Sequence, residues 1–275
     1  MQSEAGSCKS DCRRPSTASD HPAVATHRIS ASMLKVSLVI PAHNETKLLP
    51  RLLDTVAVAR ALYVHGPEAV EVIVADNAST DATRELALAR GCTVVHIPER
   101  RIAMARNGGA RVARGDVLCF VDADMQIHPE TFNAVATALG QSDIVAGATG
   151  VRPERWSLGI ALTYAVLMPM VVLTKMDTGV VFCRQDDFHA VGGYDERREL
   201  AEDVAFLWAL RRLGKARGQS LARLRSAKAI VSMRKFDQHG DWHYFTQIIP
   251  LGAPALIWPE LRTRLAKRYW YGNDR

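Results

Sequence analysis

The sequence predicts an α/β fold in which a mainly parallel sheet is flanked by helices. Short β-branched and apolar segments alternate with segments of helical periodicity, and this alternation is typical of βα units. Residues 117–121 form a continuous apolar run, as expected for a strand that is buried on both faces. With 275 residues, 48% of them hydrophobic, the chain is long enough to bury a full core.

Four strands are predicted in the first half of the chain, and helices follow the first three of them. The predicted strands are residues 36–40, 70–75, 93–97 and 117–121, and the predicted helices are residues 48–56, 82–90 and 102–113. Ligands of open α/β sheets bind just beyond the carboxyl ends of the strands. The polar residues that follow each strand are therefore candidates for a functional site.

The second half continues this pattern but includes one unusually apolar segment. A helix is predicted to start at residues 128–130, strands are predicted at 143–148 and 178–183, and a further helix at 202–214. Residues 156–174 are 19 residues without a charge, close to the ~20 apolar residues that span a bilayer. A single crossing would separate Asp124 from the later acids, so we expect a buried or interfacial helix.

Cysteine content and charge exclude several classes of protein. The five cysteines do not make a disulfide framework, and residues 1–30 contain no apolar signal segment, so we expect a cytoplasmic protein. The formal net charge is +6, and residues 211–235 contain nine basic residues and no acid. This basic run is either a solvated helix face and strand edge or a surface for diphosphate or anionic lipid. Nucleic acid is not an expected partner, because no recognition motif accompanies the charge.

Two carboxylates after the strand at 117–121 form the first candidate site. Asp122 and Asp124 are spaced as Asp-x-Asp, and hard carboxylate oxygens with an open side suit Mg²⁺ or Mn²⁺ bound to a substrate phosphate. An acidic pair can equally solvate a turn, so the pair alone does not decide. The sequence has neither Gly-x-Gly-x-x-Gly after its first strand nor a P-loop, which argues against a dinucleotide-binding dehydrogenase and a P-loop NTPase.

A second acidic pair, Glu202-Asp203, starts the predicted helix at 202–214. The N–H groups and the dipole of a first helical turn favour an ionised carboxylate. The pair is therefore compatible both with a functional role and with an ordinary helix start, and its position alone leaves both interpretations open.

Six short motifs occur in order along residues 34–215. They are Val39-Ile40-Pro41-Ala42-His43-Asn44-Glu45, Val74-Ala75-Asp76-Asn77-Ala78-Ser79-Thr80-Asp81, Ala105-Arg106-Asn107-Gly108-Gly109-Ala110, Asp122-Ala123-Asp124, Gly192-Gly193-Tyr194-Asp195 and Glu202-Asp203. In this order they resemble the inverting family 2 glycosyltransferases with the GT-A fold. The resemblance implies a Rossmann-like, mainly parallel sheet in a single domain with a helical, basic C-terminal extension. The C-terminal sixty residues match the family less clearly.

The resemblance implies that a sugar leaves a nucleoside diphosphate while an acceptor hydroxyl attacks from the opposite face. Mn²⁺ or Mg²⁺ would stabilise the leaving diphosphate, so one general base suffices. The donor is expected to be UDP- or GDP-linked, and the acceptor to be a glycan or a lipid-linked saccharide, as in polysaccharide biosynthesis. Two alternatives stay open: a polyprenyl-phosphate glycosyltransferase and a non-catalytic nucleotide- or carbohydrate-binding relative.

The resemblance also assigns roles to residues. Asp203 would be the general base, with Glu202 as its neighbour or as an acceptor contact. Asp124 would bind the metal, with Asp122 near the ribose or a metal-bound water. A C-terminal histidine, His239 in preference to His243, would complete the metal site. The residues expected to bind the nucleotide sugar are Pro41, Ala42, Asn44, Glu45, Asp76, Arg106 and Asp122.

Three parts of the chain are expected: a disordered tail at 1–32, a GT-A domain at 33–235 and a helical extension at 236–275. Within the domain, residues 33–150 would form the nucleotide-binding half and residues 151–235 the acceptor-side half. The apolar helix, the basic run and the aromatic C-terminus would either dock peripherally on the cytoplasmic face of an anionic membrane or pack onto the sheet.

Overall fold

One mixed sheet organises the residues that the computed structural model describes, which are 34–248 without Lys175 and residues 199–200. Its strands are β1 (Val36–Ala42), β2 (Val70–Asn77), β3 (Thr93–Ile97), β4 (Val117–Phe120), β5 (Met125–Gln126), β6 (Ile144–Pro153), β7 (Val181–Arg184) and β8 (Ser220–Val231). The predicted tail at 1–32 and residues 249–275 of the predicted extension lie outside the described residues.

Helices flank this sheet, as the sequence predicts. In the described part of the chain they are α1 (Leu49–Ala61), α2 (Thr83–Ala89), α3 (Ile102–Val112), α4 (Thr131–Leu139), α5 (Leu158–Thr174), α6 (Gln185–Val191), α7 (Glu202–Ala216) and α8 (Arg234–His239), with a 3₁₀ turn at Pro67–Ala69 and a π turn at Tyr244–Ile248. The α/β class is confirmed, and each predicted strand and helix has a counterpart. β5, α6 and β8 have no counterpart among the predicted elements, and α8 overlaps the start of the helical extension predicted at 236–275.

The strand order is β3-β2-β1-β4-β7-β6-β8-β5. The first four strands in this order are parallel, whereas β7 runs antiparallel to both of its neighbours. The parallel character that the sequence predicts therefore holds for this half of the sheet. Because β1, β2 and β4 run in one direction, their carboxyl ends lie on one edge of the sheet. Asp76 is the penultimate residue of β2, and Glu45 and Asp122 follow β1 and β4.

Two apolar layers cover the faces of the sheet. One contains residues of α1 and α4, and the other contains residues of α3, α6 and α7. Helix α3 lies very close to β1, since a Cβ added to Gly109 would meet a Val39 methyl group at 2.3 Å. This close approach explains the glycine and brings Arg106, one turn earlier in α3, to the edge where β4 ends.

Helix α5 is apolar on all sides, with only part of its surface covered by the described residues. Ile160 is fully buried and packs against Met233 and Phe236. In contrast, Leu158 is 76% exposed and Leu173 is 82% exposed. Within residues 34–248, none of the helices combines the length and apolar character that crossing a membrane requires.

Candidate active site

The carboxyl ends of β1 and β2 lie side by side and carry several of the predicted donor-binding residues. Pro41 and Ala42, at the end of β1, are both buried. Ala42 is the register partner of Asp76 on β2. The structure therefore brings Pro41, Ala42 and Asp76 together, whereas their contact with a donor stays a prediction.

Hydrogen bonds join the loop after β1 to the loop after β2. The Asn44 Oδ1 accepts from the Thr80 N–H at 2.8 Å, and the Glu45 N–H donates to the Thr83 Oγ1 at 2.8 Å. Asn44 has a φ of 52°, in the left-handed region that asparagine adopts more readily than most residues. Asn44 thus shapes the loop that carries Glu45, and its predicted donor contact is a separate role.

Asp76 is 2% exposed and accepts two hydrogen bonds. The Ser79 N–H donates to its Oδ1 at 3.1 Å, and the His96 Nδ1–H donates to its Oδ2 at 3.0 Å. Burial alone would raise the pKa of Asp76, but these hydrogen bonds lower the pKa below its usual range. The carboxylate is therefore ionised at neutral pH, and its oxygens are strong hydrogen-bond acceptors. His96 is absent from the predicted site, because only the register of β3 places it beside Asp76.

The guanidinium of Arg106 lies between two predicted active-site acids. Its Nη2 donates to Asp122 Oδ1 at 2.8 Å, and its Nη1 donates to Glu202 Oε1 at 2.6 Å. It also lies 5.1 Å from the centre of the Tyr194 ring. Burial by itself would lower the pKa of Arg106, but Asp122, Tyr194 and Glu202 raise it. Arg106 is therefore a permanent cation that joins the end of β4 to the start of α7.

The neighbouring Asn107 fixes the turn that precedes α7. Its Nδ2 donates to the Tyr194 carbonyl at 2.9 Å, and its Oδ1 accepts from the Tyr194 N–H at 2.9 Å. The turn includes Gly193, whose φ of 72° suits glycine. The motif that contains Arg106 and Asn107 therefore contacts the Gly192-Gly193-Tyr194-Asp195 motif, through the hydrogen bonds between Asn107 and Tyr194.

Glu202 and Asp203 occupy the first turn of α7, as predicted. Ala201, directly before them, has a φ of 54°, which is uncommon for a residue other than glycine and is often found at functional sites. Burial raises the pKa of Glu202 against the opposing effect of Arg106, and Asp203 raises it further. Asp203 is less buried, and its Oδ1 accepts from the Val204 N–H at 2.8 Å.

Arg234, at the start of α8, contacts two further predicted site acids. Its Nη2 donates to Asp124 Oδ2 at 2.9 Å, and its Nη1 donates to Glu45 Oε2 at 3.0 Å. Glu45 and Arg234 line a cavity of about 860 Å³, whose wall also includes Arg51 and Arg155. The sequence analysis counts Arg234 only within the basic run, since the contact to Glu45 spans 189 positions.

The basic run at 211–235 extends over three elements of the fold. It is divided among α7, β8 and α8, and several of its arginines have internal partners. Arg217 pairs with Asp187, Arg223 with Asp177, and Arg234 with Asp124 and Glu45. Arg223 and Arg234 are mostly buried against these acids, whereas the Arg217 side chain is 46% exposed. The predicted membrane contact stays a prediction.

The donor atoms at the β4 edge fit a divalent cation that also binds a phosphate. Mg²⁺ and Mn²⁺ sites of this kind use one or two carboxylates together with substrate oxygens, and Asp122 and Asp124 supply two carboxylates here. Among the described residues, no group of three or more His, Cys, Asp and Glu side chains could hold a metal ion by itself. His239 ends α8, with its ring 5.8 Å from the His243 ring, and its role as a metal ligand stays a prediction.

The model of the family described as glycosyl transferase family 2 matches residues 37–169 of this chain. A curated relative, validoxylamine A glucosyltransferase of Streptomyces hygroscopicus subsp. limoneus, is 35% identical over 109 residues, which are 38% of this chain and 23% of the relative. Undecaprenyl-phosphate 4-deoxy-4-formamido-L-arabinose transferase of Pseudomonas fluorescens is 34% identical over 128 residues, which are 43% of this chain and 36% of the relative. The chain thus spans only about a quarter to a third of these relatives' length.

Among solved structures, the mannosyltransferase PcManGT from Pyrobaculum calidifontis, in complex with GDP-Man and Mn²⁺, resembles this chain with a TM-score of 0.57. The two sequences are 21% identical, and the similarity covers 73% of this chain and 57% of the other. Together with the family match, this similarity confirms the predicted GT-A-type fold.

Arg106→Met should strongly destabilise the chain, because Asp122 and Glu202 would lose the cation that both contact. Removing one partner of a buried ion pair typically costs about 3–5 kcal/mol, and we expect a loss near the lower end in chemical denaturation. Arg114→Met is the control, since the Arg114 side chain is 81% exposed in its pair with Glu71. The control should cost less than about 1 kcal/mol.

The loss of stability caused by Arg106→Met should also depend on pH. Without Arg106 the pKa of Glu202 rises further, so the folded chain binds a proton more tightly than the unfolded chain, in which a glutamate has a pKa near ~4.3. The stability of the variant then falls as the pH rises from the pKa of Glu202 in the unfolded chain to its higher pKa in the folded variant. The deficit relative to wild type should be larger at neutral pH than near pH ~5, and an equal deficit at both would contradict this role of Arg106.

Proposed function

Because the model of glycosyl transferase family 2 matches residues 37–169, we propose that the chain is a member of this family and transfers a hexose from a nucleoside-diphosphate sugar to an acceptor with inversion. The observation that carries this proposal is the grouping of acids at the carboxyl edge of the sheet around two arginines. Arg106 holds Asp122 and Glu202, and Arg234 holds Asp124 and Glu45. We take the donor to be linked to UDP or GDP.

The donor would lie across the ends of β1, β2 and β4. Pro41 and Ala42 would line the nucleoside, and the ionised Asp76 would accept an N–H of the base. Asp124 and Asp122 would hold Mn²⁺ or Mg²⁺, which supplies charge neutralisation of the leaving diphosphate when bound. PcManGT, the structural neighbour, is itself a complex with a nucleotide sugar and Mn²⁺, which supports this part of the proposal.

Arg234 would change partners when the donor binds. Its side chain is 20% exposed and faces the cavity that Glu45 also lines, so a phosphate can reach it. Arginine binds phosphate oxygens through two parallel N–H donors. Transfer of Arg234 from Asp124 to the diphosphate would remove one positive charge from Asp124 and place it on the leaving group.

The chemical step would need one general base. The acceptor oxygen forms a bond to the anomeric carbon as the bond from that carbon to the diphosphate oxygen breaks, and the diphosphate leaves with the electron pair. Asp203 would take the proton of an acceptor hydroxyl, and Glu202 would position the start of α7 through Arg106. A non-catalytic relative would not need this grouping of acids, so we favour an enzyme.

Nucleotide sugars should stabilise the chain in the presence of metal. UDP-glucose, UDP-N-acetylglucosamine and GDP-mannose can be screened by thermal unfolding with Mn²⁺, with Mg²⁺ and with EDTA. A ligand at about a hundredfold excess over its Kd adds about 2.7 kcal/mol to the free energy of unfolding. We expect one donor to raise the unfolding temperature with metal and much less with EDTA. If no nucleotide sugar stabilises the chain under any condition, the proposed function is wrong.

Asp203→Asn should separate chemistry from binding. The change removes the base but keeps a first-turn acceptor of the same size, so turnover should fall about 10²–10⁴-fold while donor affinity stays within about twofold. Asp186→Asn is the matched control, because Asp186 also lies in a first helical turn, that of α6. If Asp203→Asn keeps wild-type turnover, Asp203 is not the general base and only stabilises the start of α7.

Arg234→Gln should have opposite effects on the two ligands. Donor affinity should fall about tenfold or more, as expected for the loss of a charged hydrogen bond. Mn²⁺ affinity without donor, measured by electron paramagnetic resonance, should stay the same or rise, because a competing cation has left Asp124. Arg155→Gln is the control, since Arg155 lines the same cavity but pairs with Asp237 and Asp241. A parallel fall in both affinities would indicate a purely structural role.

A further inference from the structure

A second cavity, of about 310 Å³, opens beside Asp122 and Asp124. We call it the α5 groove, because one of its walls is a face of α5. Its apolar wall includes Tyr164, Leu167, Met168, Val171, Phe236 and Tyr244. The lining therefore combines the two carboxylates at the edge of the sheet with apolar side chains along the helix, and Thr178 and Ser232 are further polar residues of the lining.

The α5 wall offers little to a polar ligand. The Thr163 hydroxyl donates to the Gly159 carbonyl of its own helix at 2.9 Å. Burial raises the pKa of Tyr164 to about 12, in keeping with an apolar environment. A saccharide in contact with this wall would exchange water for side chains that form few hydrogen bonds, which is unfavourable. A hydrocarbon chain would instead gain free energy from burial against Leu167, Met168 and Val171.

We propose that the α5 groove binds the apolar chain of an amphiphilic acceptor, an isoprenoid or alkyl alcohol or its monophosphate, with its terminal oxygen beside Asp122 and Asp124. This inference rests on the proposed function and narrows its acceptor. A chain that starts next to the attacking oxygen fits the groove, whereas a saccharide would place its hydroxyl groups against α5. Lys235 also lines the groove and adds a positive charge to its wall.

The surface of α5 indicates where a longer chain would continue. A cavity of this volume is at the lower end of the ~300–1,000 Å³ typical of small-molecule sites, so it holds only the part of the chain nearest the head group. Leu162 and Val166, on the same helix, are 44% and 53% exposed. An acceptor chain that leaves the groove can therefore remain in contact with apolar side chains along α5.

The test measures binding to the full chain by isothermal titration, without donor and below the micelle concentration of each probe. Geranyl phosphate and geraniol distinguish a phosphate head group from a hydroxyl, and inorganic phosphate and lactose report the head group and a saccharide alone. We expect at least one geranyl compound to bind ten times or more tighter than both inorganic phosphate and lactose. Equal or tighter binding of lactose would overturn the inference in favour of a glycan acceptor.

A pair of variants on α5 assigns the binding to the groove. Leu167 lines the groove and is 40% exposed, whereas Leu173 is 82% exposed on the same helix and is not part of the lining. Leu167→Asn should weaken geranyl binding about tenfold, in line with the apolar area a leucine buries, and Leu173→Asn should leave it unchanged. Equal effects of the two substitutions would overturn the assignment.

Two further results are decisive. In the alternative case, residues 249–275 of this chain fill the groove. No probe then binds, and Leu167→Asn lowers the unfolding temperature more than Leu173→Asn does. That result overturns the inference. Donor-induced stabilisation, measured on the same samples, distinguishes failure of the proposed function from failure of the acceptor inference. If the chain binds a nucleotide sugar but no geranyl compound, the proposed function stands and only the acceptor assignment is wrong.

Discussion

The candidate site depends on one buried cation. A guanidinium out of water is costly unless charged partners surround it, and Arg106 has Asp122 on one side and Glu202 on the other. This requirement fixes three elements relative to one another, because α3 carries the cation, Asp122 follows the end of β4 and Glu202 begins α7. The glycine at position 109 lets α3 lie close enough to β1 for this contact. The helix, more than the strand before Asp122, therefore sets the geometry of the acids.

Arg234 is more exposed than Arg106, and the two arginines therefore suit different roles. Arg106 is buried, so a change of partner would leave a carboxylate unpaired in a medium of low dielectric. Arg234 borders a cavity and is partly exposed, as is its partner Asp124, so water and phosphate can replace Asp124 at small cost, whereas the contact to the buried Glu45 would be kept. The β4–α7 side of the site is thus fixed before any ligand arrives, while the α8 side can exchange. Donor binding would then be coupled to α8 without movement of the sheet.

Local rules predict most of the fold and one acidic pair of the site, because these depend on neighbours in sequence. Hydrophobic periodicity locates β1 to β4, and the position of ligands beyond strand ends selects Asp122 and Asp124, whereas the roles of Asp76, Glu202 and Asp203 come from the family resemblance. The role of Arg234 depends instead on a contact across 110 positions to Asp124, within a run whose charges resemble an ordinary surface. β8 is hidden for the same reason, since its basic side chains mask the alternation of buried positions. His96 enters the site only through strand register, which the sequence does not specify.

The apolar character of the α5 groove also bears on why such a site would transfer a sugar to an acceptor and not to water. Water is the competing nucleophile for any activated sugar, and a site limits hydrolysis by excluding it. Carboxylates such as Asp122 and Asp124 hold water well, so the polar end of the groove alone would not exclude it. The hydrocarbon wall formed by Leu167, Met168 and Val171 offers water no hydrogen bonds, and an acceptor chain that covers this wall would close the approach to the anomeric carbon. Binding of the correct acceptor and exclusion of water would then be the same event, because the surface that recognises the chain is also the surface that must be dry.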